Sequence, residues 1–181
     1  MTEHDDNTLV KECLEGRTGV FKEFIDRYQK PIFNVALRMV NDRDDAEDIT
    51  QTVFIKAYEH LESFDSKHRF FSWLYRMAVN ESLNFIRQKK KYQALDDYQA
   101  STEAEPDRSC EDHDQADSIE AALMRIDVDH RAVIVLRHFL DLTYKEIGEV
   151  CDISEKTVKS RLYTARHLLR NILEEMGVRN A

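Results

Sequence analysis

Residues 143–169 read TYKEIGEVCDISEKTVKSRLYTARHLL, and this stretch decides the fold. Thr143-x-x-Glu146 is a capping box that opens a short helix with Ile147 and Val150 inside. The pair Asp152-Ile153 interrupts it, and Ser154, a good N-cap ahead of Glu155, starts a longer helix. That is helix-turn-helix spacing. With successive residues ~100° apart, Val158, Leu162, Ala165 and Leu169 fall within about 60° of one another and form an apolar stripe that must pack inward. Lys156, Ser160, Tyr163 and His167 lie opposite, with Lys159 and Arg170 on one flank. These are donors of the kind that reach base edges and phosphates, and such a helix docks in the major groove with its first residues on the bases. Glu155 and Thr157 in its first turn belong to the same candidate surface. Arg161 and Arg166 flank the apolar stripe, where either phosphate contact or solvation would suit them. Tyr144 either touches the DNA backbone or packs on the next helix. The plainer reading of the whole basic face is a solvated helix side.

Outward from this motif, the chain reads as helical throughout. Its 181 residues include only 4 Gly and 2 Pro, too few breakers for a many-stranded sheet. With 42% hydrophobic and 9% aromatic residues, the composition is that of a folded chain. Helices are expected over about 7–14, 19–40, 44–63, 70–90, 118–125, 129–140, 143–151 and 154–176.

The formal charge of −9, taken alone, argues against nucleic acid, yet its distribution does not. Residues 92–117 carry 9 acids and 1 base, whereas the flanking blocks are nearly balanced. This acidic stretch contains Pro106 and reads as a solvated linker between domain 1–91 and domain 118–181. Fully extended it reaches about 85 Å, and as a relaxed coil roughly 28 Å.

The helix over 44–63 places Ala46, Ile49, Val53, Ala57 and Leu61 toward a core. Its other side carries Glu47, Asp48, Gln51, Glu59 and Glu62, with Ile55 and Tyr58 among them. Acids interrupted by apolar side chains suit a protein partner with a basic surface. The next helix turns Phe71, Leu74, Ala78, Val79, Ser82 and Ile86 inward and lines up Trp73, Arg76, Asn80, Asn84 and Arg87 outside. Before it comes an aromatic and basic loop, Ser63 to Phe71, with Phe64, Lys67 and Arg69. Aromatic rings beside cations hold unstacked bases, so this surface reads as a single-strand binder. The run Lys89-Lys90-Lys91 would add phosphate contacts. The plainer alternative for Trp73 and Phe64 is a place in the core.

Three odd cysteines, Cys13, Cys110 and Cys151, form no disulfide framework. Cys110-x-x-His113 has no second ligand pair nearby, so no metal or other cofactor is expected. The start of the chain is polar and acidic, and no 18-residue apolar run exists, so neither a signal peptide nor membrane insertion is expected and a cytoplasmic location is. No nucleophile-base pair or phosphate-cradling Gly loop points to an enzyme.

The residues carry a resemblance to the extracytoplasmic-function (ECF) group of the sigma-70 family. Residues 44–54, DDAEDITQTVF, resemble its polymerase-binding segment, 71–80, FSWLYRMAVN, its −10 reading and melting segment, and 142–149 with 157–162, LTYKEIGE and TVKSRL, its −35 reader. The resemblance implies an all-α chain of sigma-2-like and sigma-4-like domains. It implies that Asp45, Glu47, Asp48, Gln51, Thr52 and Ile55 dock on core RNA polymerase, at the beta-prime coiled coil, with the beta flap as a further contact. It also implies promoter DNA as ligand and an anti-sigma factor as partner. Near Ile126-Asp127-Val128-Asp129 the family's usual Leu-Pro is missing, which leaves that helix boundary open. The rival reading is a two-domain helix-turn-helix regulator that binds its operator without polymerase.

Overall fold

In the computed structural model, which describes residues 5–99 and 115–178, every regular element is helical. The N-terminal unit comprises α1 (Asp6–Leu14), α2 (Phe21–Val40), α3 (Arg43–Glu59) and α4 (Phe70–Gln99), with 3-10 turns at Thr18–Val20 and Leu61–Ser63. The C-terminal unit comprises α5 (Gln115–Met124), α6 (Val128–His138), α7 (Tyr144–Cys151) and α8 (Glu155–Glu175).

Local chemistry sets the joints. Asn41 ends α2 in the left-handed conformation (φ 56°), and its N–H reaches the Leu37 carbonyl at 2.7 Å. Asn tolerates that conformation better than most residues. Asp42 then caps α3 by accepting the Asp45 N–H at 3.0 Å, so two residues suffice to reverse the chain. The capping box of Thr143 and Glu146 and the Ser154 cap both form. Where the family's Pro is missing, Asp127 caps α6 through the Asp129 N–H at 2.9 Å.

Ala46, Ile49, Val53, Ala57 and Leu61 are all buried, as their spacing predicts. Phe24 and Phe70 stack at the centre of this unit with ring centroids 4.1 Å apart, and Phe64 meets Phe70 edge-on. Each such side chain, fully buried, contributes roughly 1.5–3 kcal/mol. In the second unit Ile147, Val150, Val158, Leu162 and Ala165 close over α6.

One feature departs from expectation. Helix α4 runs on to Gln99 and α5 begins at Gln115, so helix occupies both ends of the stretch expected as linker. Residues 92–99, YQALDDYQ, contain no Gly or Pro and include good helix formers, which lets α4 propagate despite its acids. The rest of that stretch, with Pro106, Cys110 and His113, lies outside the described residues. The sequence leaves the arrangement of the two units open; in the structure they pack together, α2 against α5 and α6, and α4 against α7. Helix α6 is consequently buried on all sides from Arg131 to Leu136.

Candidate nucleic-acid and protein interfaces

The first candidate surface is the outer side of α3. Glu47, Asp48 and Gln51 are exposed there, and Ile55 is 58% exposed with Tyr58 beside it at 48%. Two exposed apolar side chains about one helical turn apart, set among acids, make a small patch of the kind a protein partner covers. A groove of ≈ 460 Å³ runs along this side between α2 and α3, lined by Asp26, Gln29, Lys30, Phe33, Arg43, Glu47, Thr50 and Gln51. The α2 contribution was missed from the sequence, although Asp26, Gln29, Lys30 and Phe33 share one helix face by spacing. Asp45 and Thr52 differ from the other four, being half-buried toward α4. Asp45 accepts from Lys89 at 2.8 Å, and this hydrogen bond is the main reason the Lys89 ammonium holds its proton more tightly than usual. Lys89 thus pairs with α3 at the surface, whereas Lys90 and Lys91 of that run stay outside this pair.

The second surface joins the outer side of α4 to the loop before it. Lys67, Arg69, Arg76, Asn80, Asn84 and Arg87 are exposed, in line with the helix register. Trp73 is half-buried, its ring leaning on Phe64 and Phe70 at centroid distances of 5.5 and 5.6 Å. Phe64 is buried, only 9% exposed, because the chain folds back after Ser63 and drives its ring toward Phe70. It serves as a wall, not a free stacking platform. Phe64, Asp65, His68, Ser72, Trp73 and Arg76 surround a pocket of ≈ 230 Å³ whose far side is Glu149 and Asp152 of the other unit. The Ser72 hydroxyl in that pocket is buried and has no hydrogen-bond partner.

Both cations nearest the pocket are engaged across the units. Arg76 pairs with Asp152 at 2.8 Å and Arg69 with Glu146 at 2.7 Å. Glu146 is held below the usual carboxylate range chiefly by the Thr143 main-chain N–H, with the Thr143 hydroxyl and Arg69 assisting.

The third surface is α8. Glu155, Lys156, Lys159, Ser160, Tyr163 and His167 are exposed, and Tyr163 and His167 touch edge to face at 4.5 Å. Thr157 is half-buried and spends its hydroxyl on Ser154 at 2.8 Å. Arg161 is half-buried beside Asp129 at 3.4 Å, so it braces α8 on α6. Arg166 is exposed and donates to His138 at 3.3 Å. Burial first, then Arg166 and Arg137, keeps the His138 imidazole less basic than usual. Tyr144 is half-buried under the Arg137 guanidinium, 5.9 Å from its ring centre, which favours the packing alternative.

The sequence pattern of sigma-70 region 2 matches residues 24–92, and that of sigma-70 region 4 matches residues 116–169. Over 179 residues the chain is 32% identical to the ECF RNA polymerase sigma factor SigW of Bacillus subtilis, covering 92% of this chain and 96% of that protein. It is 30% identical over 183 residues to the ECF RNA polymerase sigma-E factor of Haemophilus influenzae, covering 94% and 96%. Among solved structures, CnrH in complex with the cytosolic domain of CnrY has the same fold, with a TM-score of 0.73 at 22% identity over 94% of this chain and 97% of CnrH. The sigma factor RpoE of Bartonella quintana, solved with the anti-sigma factor NepR, gives 0.69 at 23% identity over 85% and 96%.

Proposed function

The chain belongs to the ECF group of sigma-70-family RNA polymerase sigma factors, and from that membership we propose how its surfaces divide the work of promoter recognition. It is an alternative sigma factor that directs RNA polymerase to promoter DNA and belongs to the initiation machinery. The acidic, Ile55-bearing side of α3, with the adjoining α2 groove, binds core polymerase at the beta-prime coiled coil. Negative charge steers the encounter toward a basic partner, and burial of Ile55 and Tyr58 holds it.

The α4 face with its preceding loop takes single-stranded −10 DNA. Extruding a base costs a few kcal/mol. A stack on Trp73 contributes about 1–3 kcal/mol per base, so one to three contacts offset that cost and melting needs no ATP. Helix α8 reads the −35 element as duplex from the major groove through Lys156, Lys159, Ser160, Tyr163 and His167. The chain itself carries out no catalytic step, and it works in the cytoplasm with the polymerase. An anti-sigma partner is proposed by analogy with RpoE, which was solved with one.

The observation that carries this reading is the presence of two chemically different exposed sides on α3 and α4. One helical unit exposes both an acidic side of α3 that bears Ile55 and Tyr58 and a side of α4 that bears Arg76, Asn80 and Arg87 beside the half-buried Trp73. A regulator that only bound duplex DNA would need neither. The test is run-off transcription with sigma-free core polymerase and a pool of promoter fragments. Specific transcripts that depend on this chain support the reading. Duplex binding without core polymerase, and no transcripts with it, would establish the regulator instead.

A further inference from the structure

Three arginines of α8 differ in what holds them. Arg161 lies beside the Asp129 carboxylate at 3.4 Å, and the Nε of Arg170 donates to Glu174 at 2.9 Å, so an acid matches each of these charges. Arg166 has no acid. Its Nε donates at 3.3 Å to Nε2 of His138, the last residue of α6, and among the described residues its two terminal nitrogens meet no hydrogen-bond or ion-pair partner. An imidazole that accepts at Nε2 is neutral and carries its proton on Nδ1. The lowered basicity of this ring, set by burial and then by Arg166 and Arg137, agrees with that state. A neutral acceptor fixes a guanidinium at one edge without cancelling its charge, whereas a carboxylate in the same place would compete with any other anion for it.

Position decides what the uncancelled charge meets. Lys159 and Arg166 are seven residues apart, which on an α-helix brings them within about 20° of one another and sets them ~10.5 Å apart along the axis. Both therefore edge the side of α8 on which Lys156, Ser160, Tyr163 and His167 are exposed. Where the middle of such a helix faces base edges in the major groove, cations along its flank face the phosphate strands that wall the groove. The terminal edge of a guanidinium presents two parallel N–H groups, a fork that matches a phosphate. A long exposed side chain loses rotamer freedom when it closes on a ligand, and a contact made beforehand reduces that loss. We propose that His138 is a positioning residue for −35 recognition: its neutral imidazole holds Arg166 at Nε and leaves the terminal edge of the guanidinium to grip a backbone phosphate of the −35 duplex. This role rests on the −35 reading proposed for α8.

The test uses polymerase holoenzyme reconstituted with the full-length chain and a fluorescently labelled promoter duplex recovered by the run-off experiment, with affinity measured from about 50 to 200 mM salt. Arg166→Ala should bind about ten-fold more weakly, as expected for one lost charge-assisted hydrogen-bonded contact. It should also flatten the slope of log affinity against log salt by about 0.9, the signature of one phosphate. His138→Ala should weaken binding about three- to five-fold, because the cation stays but must be ordered on binding. His138→Gln, whose amide oxygen can accept the Arg166 N–H in place of Nε2, should stay near wild type. His138→Ala added to Arg166→Ala should cost nothing further. His138 and Arg166 are both exposed, so these changes should leave the fold intact. Arg125→Gln, which removes a cation paired with Glu175 away from the reading side, is the control for net charge and should match wild type. Wild-type affinity in His138→Ala would overturn the proposal. So would equal weakening by His138→Ala with and without Arg166, or a His138→Gln chain no better than His138→Ala. Lys156→Ala and Ser160→Ala separate the two readings. If they weaken binding and His138→Ala does not, α8 still reads the −35 element and only this role falls; if neither of them does, the −35 assignment fails and this role with it.

Discussion

Arg131 of α6, buried in the C-terminal unit, donates to the main-chain carbonyl of Met39 at the end of α2 in the N-terminal unit. A helix's last carbonyls have no partner within the helix, and the end of its dipole favours a cation there. The same guanidinium bonds the carbonyls of Leu123 at 2.9 Å, Met124 at 3.1 Å and Ile126 at 3.3 Å, so it ties the α5–α6 turn together as well as the two units. Burial lowers its affinity for the proton, but an arginine stays charged.

Arg131→Ala should therefore destabilise the C-terminal unit by about 2–4 kcal/mol, since several buried carbonyls lose a charged donor at once. Arg131→Lys should recover little, because one ammonium cannot cover four carbonyls spread over a turn. Thermal unfolding followed by circular dichroism measures both. An unchanged transition in Arg131→Ala would show that water replaces the guanidinium without loss.

Gly148→Ala should be destabilising even though Ala is the better helix former by about 0.5–1 kcal/mol. A Cβ on Gly148 would lie 2.8 Å from the Ile153 carbonyl oxygen, where the turn between α7 and α8 crosses the helix. Relieving that overlap must move backbone, at a cost of roughly 1–3 kcal/mol. A higher melting temperature for Gly148→Ala would contradict the close crossing of the turn.

Glu146 gives the fold a pH dependence of known sign. Its carboxyl titrates below its unfolded value because the Thr143 N–H, above all, stabilises the charged form. Its stabilising contribution is thus complete above the unfolded value of about 4.3 and is lost as pH falls through the lower folded value. Urea unfolding of Glu146→Gln against wild type should show a difference near neutral pH that shrinks steadily below pH ~4.3. A constant difference across that window would place the effect in packing rather than charge.

Asn80→Ala should slow promoter opening several-fold and leave both polymerase affinity and melting temperature unchanged, because Asn80 is exposed on α4. Trp73→Ala should slow opening further, by the loss of about 1–3 kcal/mol of stacking, but should also lower stability, since its ring rests on Phe64 and Phe70. A fluorescent base analogue in the −10 element reads opening, and a core-polymerase binding titration provides the comparison. Normal opening by Asn80→Ala would remove that residue from the −10 surface.

Helix positions and faces were legible in the sequence because each unit repeats its apolar residues at helical spacing and marks its starts with caps such as Asp42, Thr143 and Ser154. What periodicity cannot convey is which exposed cation meets which acid far along the chain. Arg76 and Asp152, like Arg69 and Glu146, sit on different units, and Lys89 finds Asp45 only because α4 folds back along α3. For Phe64 both a core place and an exposed one stayed open for a related reason, since a ring in a loop has no register to assign its side. One signal was available and went unused. The run Ala132 to Leu136 is apolar on every face of α6, and a helix without a polar side is a helix covered from both sides.

Trp73 is the chain's single tryptophan, and it stands in the wall of the cavity shared by the two units. Nature has thereby placed one intrinsic fluorophore at the boundary. Its emission colour and its quenching by added iodide report the wetting of that cavity alone, in the unlabelled wild-type chain and on the millisecond scale of a stopped-flow instrument.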